Sequence, residues 1–257
     1  MTEEEILQKY PYKYETHMHT LEGSACGLSS GHDMARSYKR NGYTGIIVTD
    51  HNWGGNTAID RALPWKEWVE QFFAGYRAAK QCGDEIGLQV FPGYEAGYGG
   101  PEFLIYGIEP EAMIQYPELR TASVEEQYQI IHSLGGMVIQ AHPYREAPYI
   151  RQIELYPQYV DGIEIINACH SNPADGSRDK VVFDEKAIQL AKQYGLPGTA
   201  GSDQHSVNLL GGGVAFPTPL SSIKDYQTRV LNGEDYVLTN GRQWFTKEGN
   251  IFLTKRE

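Results

Sequence analysis

Short apolar runs of β type recur along this chain, and segments of helical period separate most of them. The candidate strands are Tyr14–His19, Gly45–Thr49, Leu88–Glu95, Phe103–Tyr106, Met137–His142, Gly162–Ile166 and Pro197–Ser202. Between them, Trp65, Trp68, Val69, Phe72, Phe73, Tyr76 and Ala79 share one helical stripe behind Pro64, a residue suited to a first turn. Ser123 and Glu126 read as a capping box ahead of Val124, Tyr128, Ile131 and Leu134. Phe183, Ala187, Leu190, Ala191 and Tyr194 form a further stripe, closed by Gly195 and Pro197. This alternation predicts an α/β protein with a mainly parallel sheet, as a closed barrel or an open doubly wound sheet. No GxGxxG or P-loop stands at a strand–helix turn, which weakens the open nucleotide-binding alternative.

The 257 residues are 40% hydrophobic and 21% charged, enough for a substantial core and too apolar for wholesale disorder. No repeat, low-complexity tract or linker divides them, so a single domain over 1–257 is expected. The net charge of −11, from 33 acidic and 22 basic residues, argues against gripping a nucleic-acid backbone, which needs a basic face. No apolar run is long enough for a bilayer, and the start, MTEEEILQKY, is acidic where a signal peptide would be basic. Cys26, Cys82 and Cys169 form no CxxC pair, so a disulfide framework is not expected and a cytoplasmic location is.

The histidines carry the functional signal. His17 and His19 are spaced by two, so on a strand both face the same side and can meet one cation. Asp50 and His51 follow the apolar run Ile46–Thr49, and Asp50 is taken as a catalytic-site residue that would orient His51 or a neighbouring ligand. Glu95 ends another run, His142 stands just before Pro143, His170 follows Ile163–Ala168, and Asp203 and His205 share a face after Thr199–Ser202. Six of the eight histidines therefore fall at strand ends, with Glu95 and Asp203 among them. Scattered core or surface histidines would not all choose one edge of a sheet. Imidazole and carboxylate without thiolate suits zinc, manganese or iron, and this many ligands exceeds the needs of one ion. His32 and His132 lie away from strand ends and are read as non-ligands, and Cys26 and Cys169 as small packing residues. Trp53 and Tyr98, in aromatic-rich loops, are candidates for stacking on a substrate ring, with plain packing as the alternative.

With HMH, TDH, Glu95, AHP, a late histidine and SDQH in that order, the chain resembles the PHP (polymerase and histidinol phosphatase) family from about Glu15 to about Gly213. The resemblance implies a distorted (β/α)7 barrel with a two- or three-metal site at the C-terminal mouth of the strands. It implies that His17, His19, Glu95 and Asp203 hold one ion, that Glu95 bridges to a second held with His142 and His170, and that His51 and His205 hold a third. Family members often place a further ligand shortly after HxH. Here Glu22 is the substitute. The activity implied is that of a metal-dependent phosphoesterase, hydrolysing a small-molecule phosphate ester with a metal-bound hydroxide. Asp203 or His205 would serve as the acid, and Arg145 and Arg178 would clamp the phosphate. The expected partner is a small phosphorylated metabolite. The alternatives are an amidohydrolase-type metal-dependent hydrolase and a non-catalytic metal-binding PHP module.

Overall fold

The structure, a computed structural model, describes residues 1–172 and 180–252. In chain order its elements begin with α1 (Glu3–Lys9), β1 (Tyr12–Glu15), α2 (Gly31–Arg40), β2 (Gly45–Val48), α3 (Trp65–Phe72), α4 (Ala74–Ile86), β3 (Gln89–Gly97) and β4 (Glu102–Tyr106). After these come α5 (Pro110–Ile114), a 3₁₀ turn (Pro117–Arg120), α6 (Val124–Ser133), β5 (Met137–Ala141), β6 (Gly162–Asn167) and α7 (Ala168–Ser171). The chain finishes with α8 (Val181–Tyr194), β7 (Gly198–Gly201), β8 (Gly212–Phe216), α9 (Ile223–Leu231), β9 (Val237–Asn240) and β10 (Trp244–Thr246).

The strands form one curled ten-stranded sheet in the order β10-β9-β8-β1-β2-β3-β4-β5-β6-β7. The pairs β1–β2, β2–β3, β5–β6 and β6–β7 are parallel. The pairs β3–β4, β4–β5, β1–β8, β8–β9 and β9–β10 are antiparallel. The sheet is thus mixed, not mainly parallel. The reason is local: Tyr98–Pro101 is a tight turn, with Gly99 at φ 75°, so β4 returns directly beside β3 without a crossover helix. The chain that leaves β1 and the edge strand β7 approach each other, although the two are not neighbours in the sheet order. Met18 bridges Gln204, His19 N–H donates to the Gln204 carbonyl at 2.8 Å, and Thr16 Oγ1 donates to the Ala200 carbonyl at 2.6 Å. Gly201 permits that approach, because a Cβ there would lie 2.4 Å from His17 Cβ.

Burial explains most of the elements. β2, β5 and β6 are buried along their whole length, as near-continuous apolar runs require. The aromatic stripe splits at Phe73 into α3 and α4, and Trp65 and Trp68 stack at 5.4 Å within the main core. Trp53 packs edge-on against Trp65 and Trp68, and Tyr98 edge-on against Phe103, so both fill the plain packing role. The capping box at Ser123 and Glu126 starts α6 as its sequence indicates. Among the described residues no helix is long and apolar enough to cross a membrane.

Candidate metal centre

HxH lies just beyond β1, in extended chain pinned by its own neighbour. The buried Glu15 carboxylate accepts from the backbone N–H of Thr16, His17 and Ser202, and from the hydroxyls of Ser202 and Tyr38. Burial pushes the Glu15 carboxyl up to about 7 against the lowering effect of the Ser202 and His17 bonds. It therefore ties the histidine segment to the end of β7, where Asp203 follows.

Each imidazole of the pair is aimed by its second nitrogen. His17 Nδ1 lies 2.9 Å from Glu164 Oε1, in the middle of β6. His19 Nδ1 lies 3.1 Å from Ser24 Oγ, whose proton is committed to Asp50 Oδ1 at 2.7 Å. The Ser24 oxygen must then accept from His19 Nδ1–H, which leaves the His19 Nε2 lone pair pointing inward. The Glu164 carboxylate does the same for His17. Burial, with His51 and His205 nearby, pushes His19 down to about 3, so its ring is neutral.

Among the described residues, both inward Nε2 atoms are buried and lack a hydrogen-bond partner, as do Glu95 Oε2 and Glu102 Oε2. His17 Nε2 is 3.4 Å from Glu95 Oε1 and 3.6 Å from Asp203 Oδ1, and His19 Nε2 is 3.5 Å from Glu95 Oε2 and 3.2 Å from Asp203 Oδ1. Spacings of about 3.4 Å match ligand–ligand separations around a divalent ion with bonds of about 2.1 Å, and His17, His19 and Asp203 form one convergent group. Unpartnered buried atoms at that spacing fit a cation, because without one each would carry a desolvation cost. Further groups of convergent ligand atoms are His17–Glu95–His142, His51–Glu95–Glu102 and His19–His51–His205. Glu95 belongs to two of them, with His142 Nε2 3.0 Å from Oε1 and His51 Nδ1 3.0 Å from Oε2.

Two of these residues sit in strained backbone. His142 and Asp203 have φ of 26° and 54°, the positive-φ non-glycine positions among the described residues. Such conformations cost of order 1–3 kcal/mol each and persist where a site requires them. At Asp203, burial would raise the carboxyl pKa, but Arg145 and His17 hold it well below the usual carboxylate range.

The remaining residues singled out from the sequence lie as follows. His205 is partly exposed, its Nδ1 donating to the Asp203 carbonyl at 2.7 Å. Asp50 reaches the cluster indirectly: it accepts from Thr20 N–H and Oγ1, each at 2.6 Å, and from the Ser24 hydroxyl that faces His19. Glu22 belongs to none of the convergent groups, and its carboxylate accepts from the Gly31 N–H at 3.0 Å, at the start of α2. That N–H is one of the open donors of a helix N-terminus, which attracts a nearby carboxylate. His170, on the short α7, lies outside the groups too: Arg145 Nε donates to its Nε2 at 3.3 Å. Burial, Arg145 and His142 push His170 down to about 2. Arg145 also pairs with Asp203 Oδ2 and, at 3.8 Å, with Glu102 Oε2. Arg178 lies outside the described residues. His32 and His132 pair with Asp33 and Asp161, away from the cluster.

Glu102, Glu164 and Cys26 join the centre without having been singled out as site residues. Burial raises the Cys26 thiol, but His205 and His51 bring it down to about 6. A cavity of about 680 Å³ opens over the cluster, lined by Cys26, His51, Glu102, Arg145, Tyr149, Asp203 and His205, with Gly54, Gly55, Asn56, Gly97, Gly99 and Gly100 as its low wall. A cluster of buried carboxylates and oriented imidazoles under such a cavity defines a candidate divalent-metal centre with room for a small molecule.

Comparison with known proteins finds one family similar over part of the chain and several solved structures similar in fold. The PHP-associated family matches residues 184–232. Among solved structures, the chain is similar to a two-domain protein from Bacteroides vulgatus described as containing a predicted PHP-like metal-dependent phosphoesterase. The two share 14% identity at a TM-score of 0.66, over 89% of this chain and 64% of that one. A candidate metal-dependent phosphoesterase from Bifidobacterium adolescentis aligns with 16% identity and a TM-score of 0.53, over 86% of this chain and 96% of that one. An amidohydrolase from Chromobacterium violaceum, with bound sulfate and no metal, aligns with 16% identity and a TM-score of 0.51, over 75% and 87%. No curated protein sequence matches the chain. The matched segment and the shared fold support a PHP-domain family protein.

Proposed function

We propose that the protein is a metal-dependent phosphoesterase acting on a small phosphorylated metabolite, with 1–257 serving as one catalytic domain. On this reading the fold is a distorted (β/α)7 barrel formed by β1–β7, and the cluster lies at the mouth where the strands end. The observation that carries the reading is the cage of His17, His19, Glu95 and Asp203, four buried ligands whose 3.2–3.6 Å spacings suit a divalent ion. Zinc, manganese or iron would each suit the nitrogen and oxygen donors. Bound there and at the groups around Glu95, divalent ions supply Lewis acidity and lower the pKa of a coordinated water.

The chain's own residues do the rest. Glu164 and Ser24 hold the His17 and His19 rings in one orientation, so the cage needs little rearrangement to receive an ion. Arg145 adds a fixed positive charge beside the cavity for the phosphoryl oxygens. Asp203 is held as a carboxylate and is a poor acid, so the proton for the leaving alkoxide is assigned to His205. The glycine wall leaves open width above the cluster for the body of the substrate.

Hydrolysis at a carbonyl carbon is the second reading, kept because a protein named an amidohydrolase shares the fold. Assays of phosphomonoesters beside amides and lactones, with manganese added and then chelated, separate the readings. Phosphate release that disappears on chelation is expected. Turnover of amides or lactones alone would overturn the phosphoesterase reading, and metal uptake without any turnover would leave a binding module.

A further inference from the structure

His170 follows a strand as the other candidate ligands do, yet its imidazole belongs to none of the convergent groups. Its ring meets Arg145 instead. Arg145 Nε donates to His170 Nε2 at 3.3 Å, one terminal nitrogen pairs with Asp203 Oδ2, and the other lies 3.8 Å from Glu102 Oε2. An imidazole nitrogen and two carboxylates, the donor set of a divalent site, here surround a guanidinium. The arrangement is largely buried: the side chains of Arg145, Asp203 and Glu102 are 18%, 4% and 11% exposed.

Local chain geometry puts the guanidinium there. Arg145 N–H donates to the His142 carbonyl at 2.9 Å, closing a turn that follows the positive-φ His142. The same turn that lays the His142 ring against Glu95 thus carries Arg145 back over Asp203. A proton on a histidine can leave when an ion arrives. The guanidinium cannot be titrated away, and it repels a divalent ion at contact distance.

We propose that the Arg145 guanidinium takes the place of an ion that His170, Asp203 and Glu102 would otherwise share, so that this chain holds one divalent ion fewer than its strand-end ligands suggest. The proposal rests on the metal-dependent reading above. Its consequence for function is that one of the cluster's positive charges is covalently attached, present whether or not metal is scarce. His170 then acts as a positioning residue for Arg145 and not as a ligand.

Metal content per chain decides this. The whole protein is loaded with manganese, freed of excess by gel filtration and counted by mass spectrometry, alongside Arg145→Ala, His170→Ala and the double variant. Arg145→Ala is expected to gain one ion per chain, His170→Ala to keep the parent count, and the double variant to lose the gain. An unchanged count in Arg145→Ala, or one ion lost in His170→Ala, overturns the assignment. Should Arg145→Ala not fold, His170→Ala decides alone by the same two outcomes. A parent that takes up no manganese overturns the metal-dependent reading itself and this assignment with it, whereas a loaded parent with an unmoved Arg145→Ala count overturns only the latter.

Discussion

Two corners of one cluster face cations differently. At the corner of His17, His19, Glu95 and Asp203, the inward Nε2 atoms and Glu95 Oε2 have no hydrogen-bond partner among the described residues, and both outward imidazole nitrogens are anchored. At the corner of His170, the inward nitrogen already receives an N–H from Arg145, and the outward one faces Asp184 Oδ1 at 3.5 Å. The first corner is organised for an ion that must arrive, and the second carries its charge on a side chain. On the proposal above, a histidine at a strand end is not enough to make a ligand. What its lone pair meets decides, and that depends on the loop opposite.

The largest effect is expected from the first corner. His17→Ala removes a ligand atom that belongs to the cage and also to the group with Glu95 and His142. Loss of metal from the cage should accompany a fall in phosphoester turnover of roughly a thousandfold, since metal assistance is worth several kcal/mol. Metal content and kcat measured on one preparation check this. A His17→Ala protein with full metal content and full turnover would erase the difference between the corners.

A sharper comparison lies one layer out, in the carboxylates behind the two histidines. Glu164→Gln keeps the shape but removes the charge that orients His17, and should weaken metal binding by about 10- to 100-fold. Asp184→Asn, the matching change behind His170, should leave metal affinity where it was. Competition with a chromogenic chelator reads both. Equal losses would mean that His170 ligates after all and that the two corners are alike.

How much of this was legible follows from which residues act through sequence-local geometry. The strand-end histidines were legible because an apolar run and a following polar residue are neighbours in the chain, and seven of the anticipated ligands (His17, His19, His51, Glu95, His142, Asp203 and His205) lie together in the convergent groups. Glu102 was not, because it begins β4 and does not end a strand. Only the antiparallel return through Gly97–Pro101 brings the start of β4 to the edge where β3 finishes, and the glycines of that turn were the available signal. Glu164 stood in plain view as a carboxylate between Ile163 and Ile165 in a buried run, which demands a partner, but its partner is 147 positions away. Glu22 was set beside the cluster by its place after HxH, whereas the open N–H of Gly31 captures it. The strands β8, β9 and β10 were missed altogether. They are three to five residues long, and the first opens with Gly212-Gly213, a weak strand signal.

The smallest effect tests how far orientation by a neutral group matches orientation by a charge. Ser24 Oγ donates to Asp50 at 2.7 Å, accepts from the His51 N–H at 2.9 Å and faces His19 Nδ1 at 3.1 Å. Ser24→Ala therefore leaves two buried donors without their acceptor while Asp50 keeps its bonds to Thr20. The metal-free protein should lose about 1–3 kcal/mol of stability, the usual penalty for unpaired buried groups. Metal affinity should fall too, but by less than in Glu164→Gln, because a hydroxyl dipole fixes the ring without adding charge to it. Thermal melting with and without manganese, beside the chelator competition, measures both quantities. An affinity loss in Ser24→Ala as large as that in Glu164→Gln would show that ring orientation alone, and not the carboxylate behind His17, makes the first corner receptive to an ion.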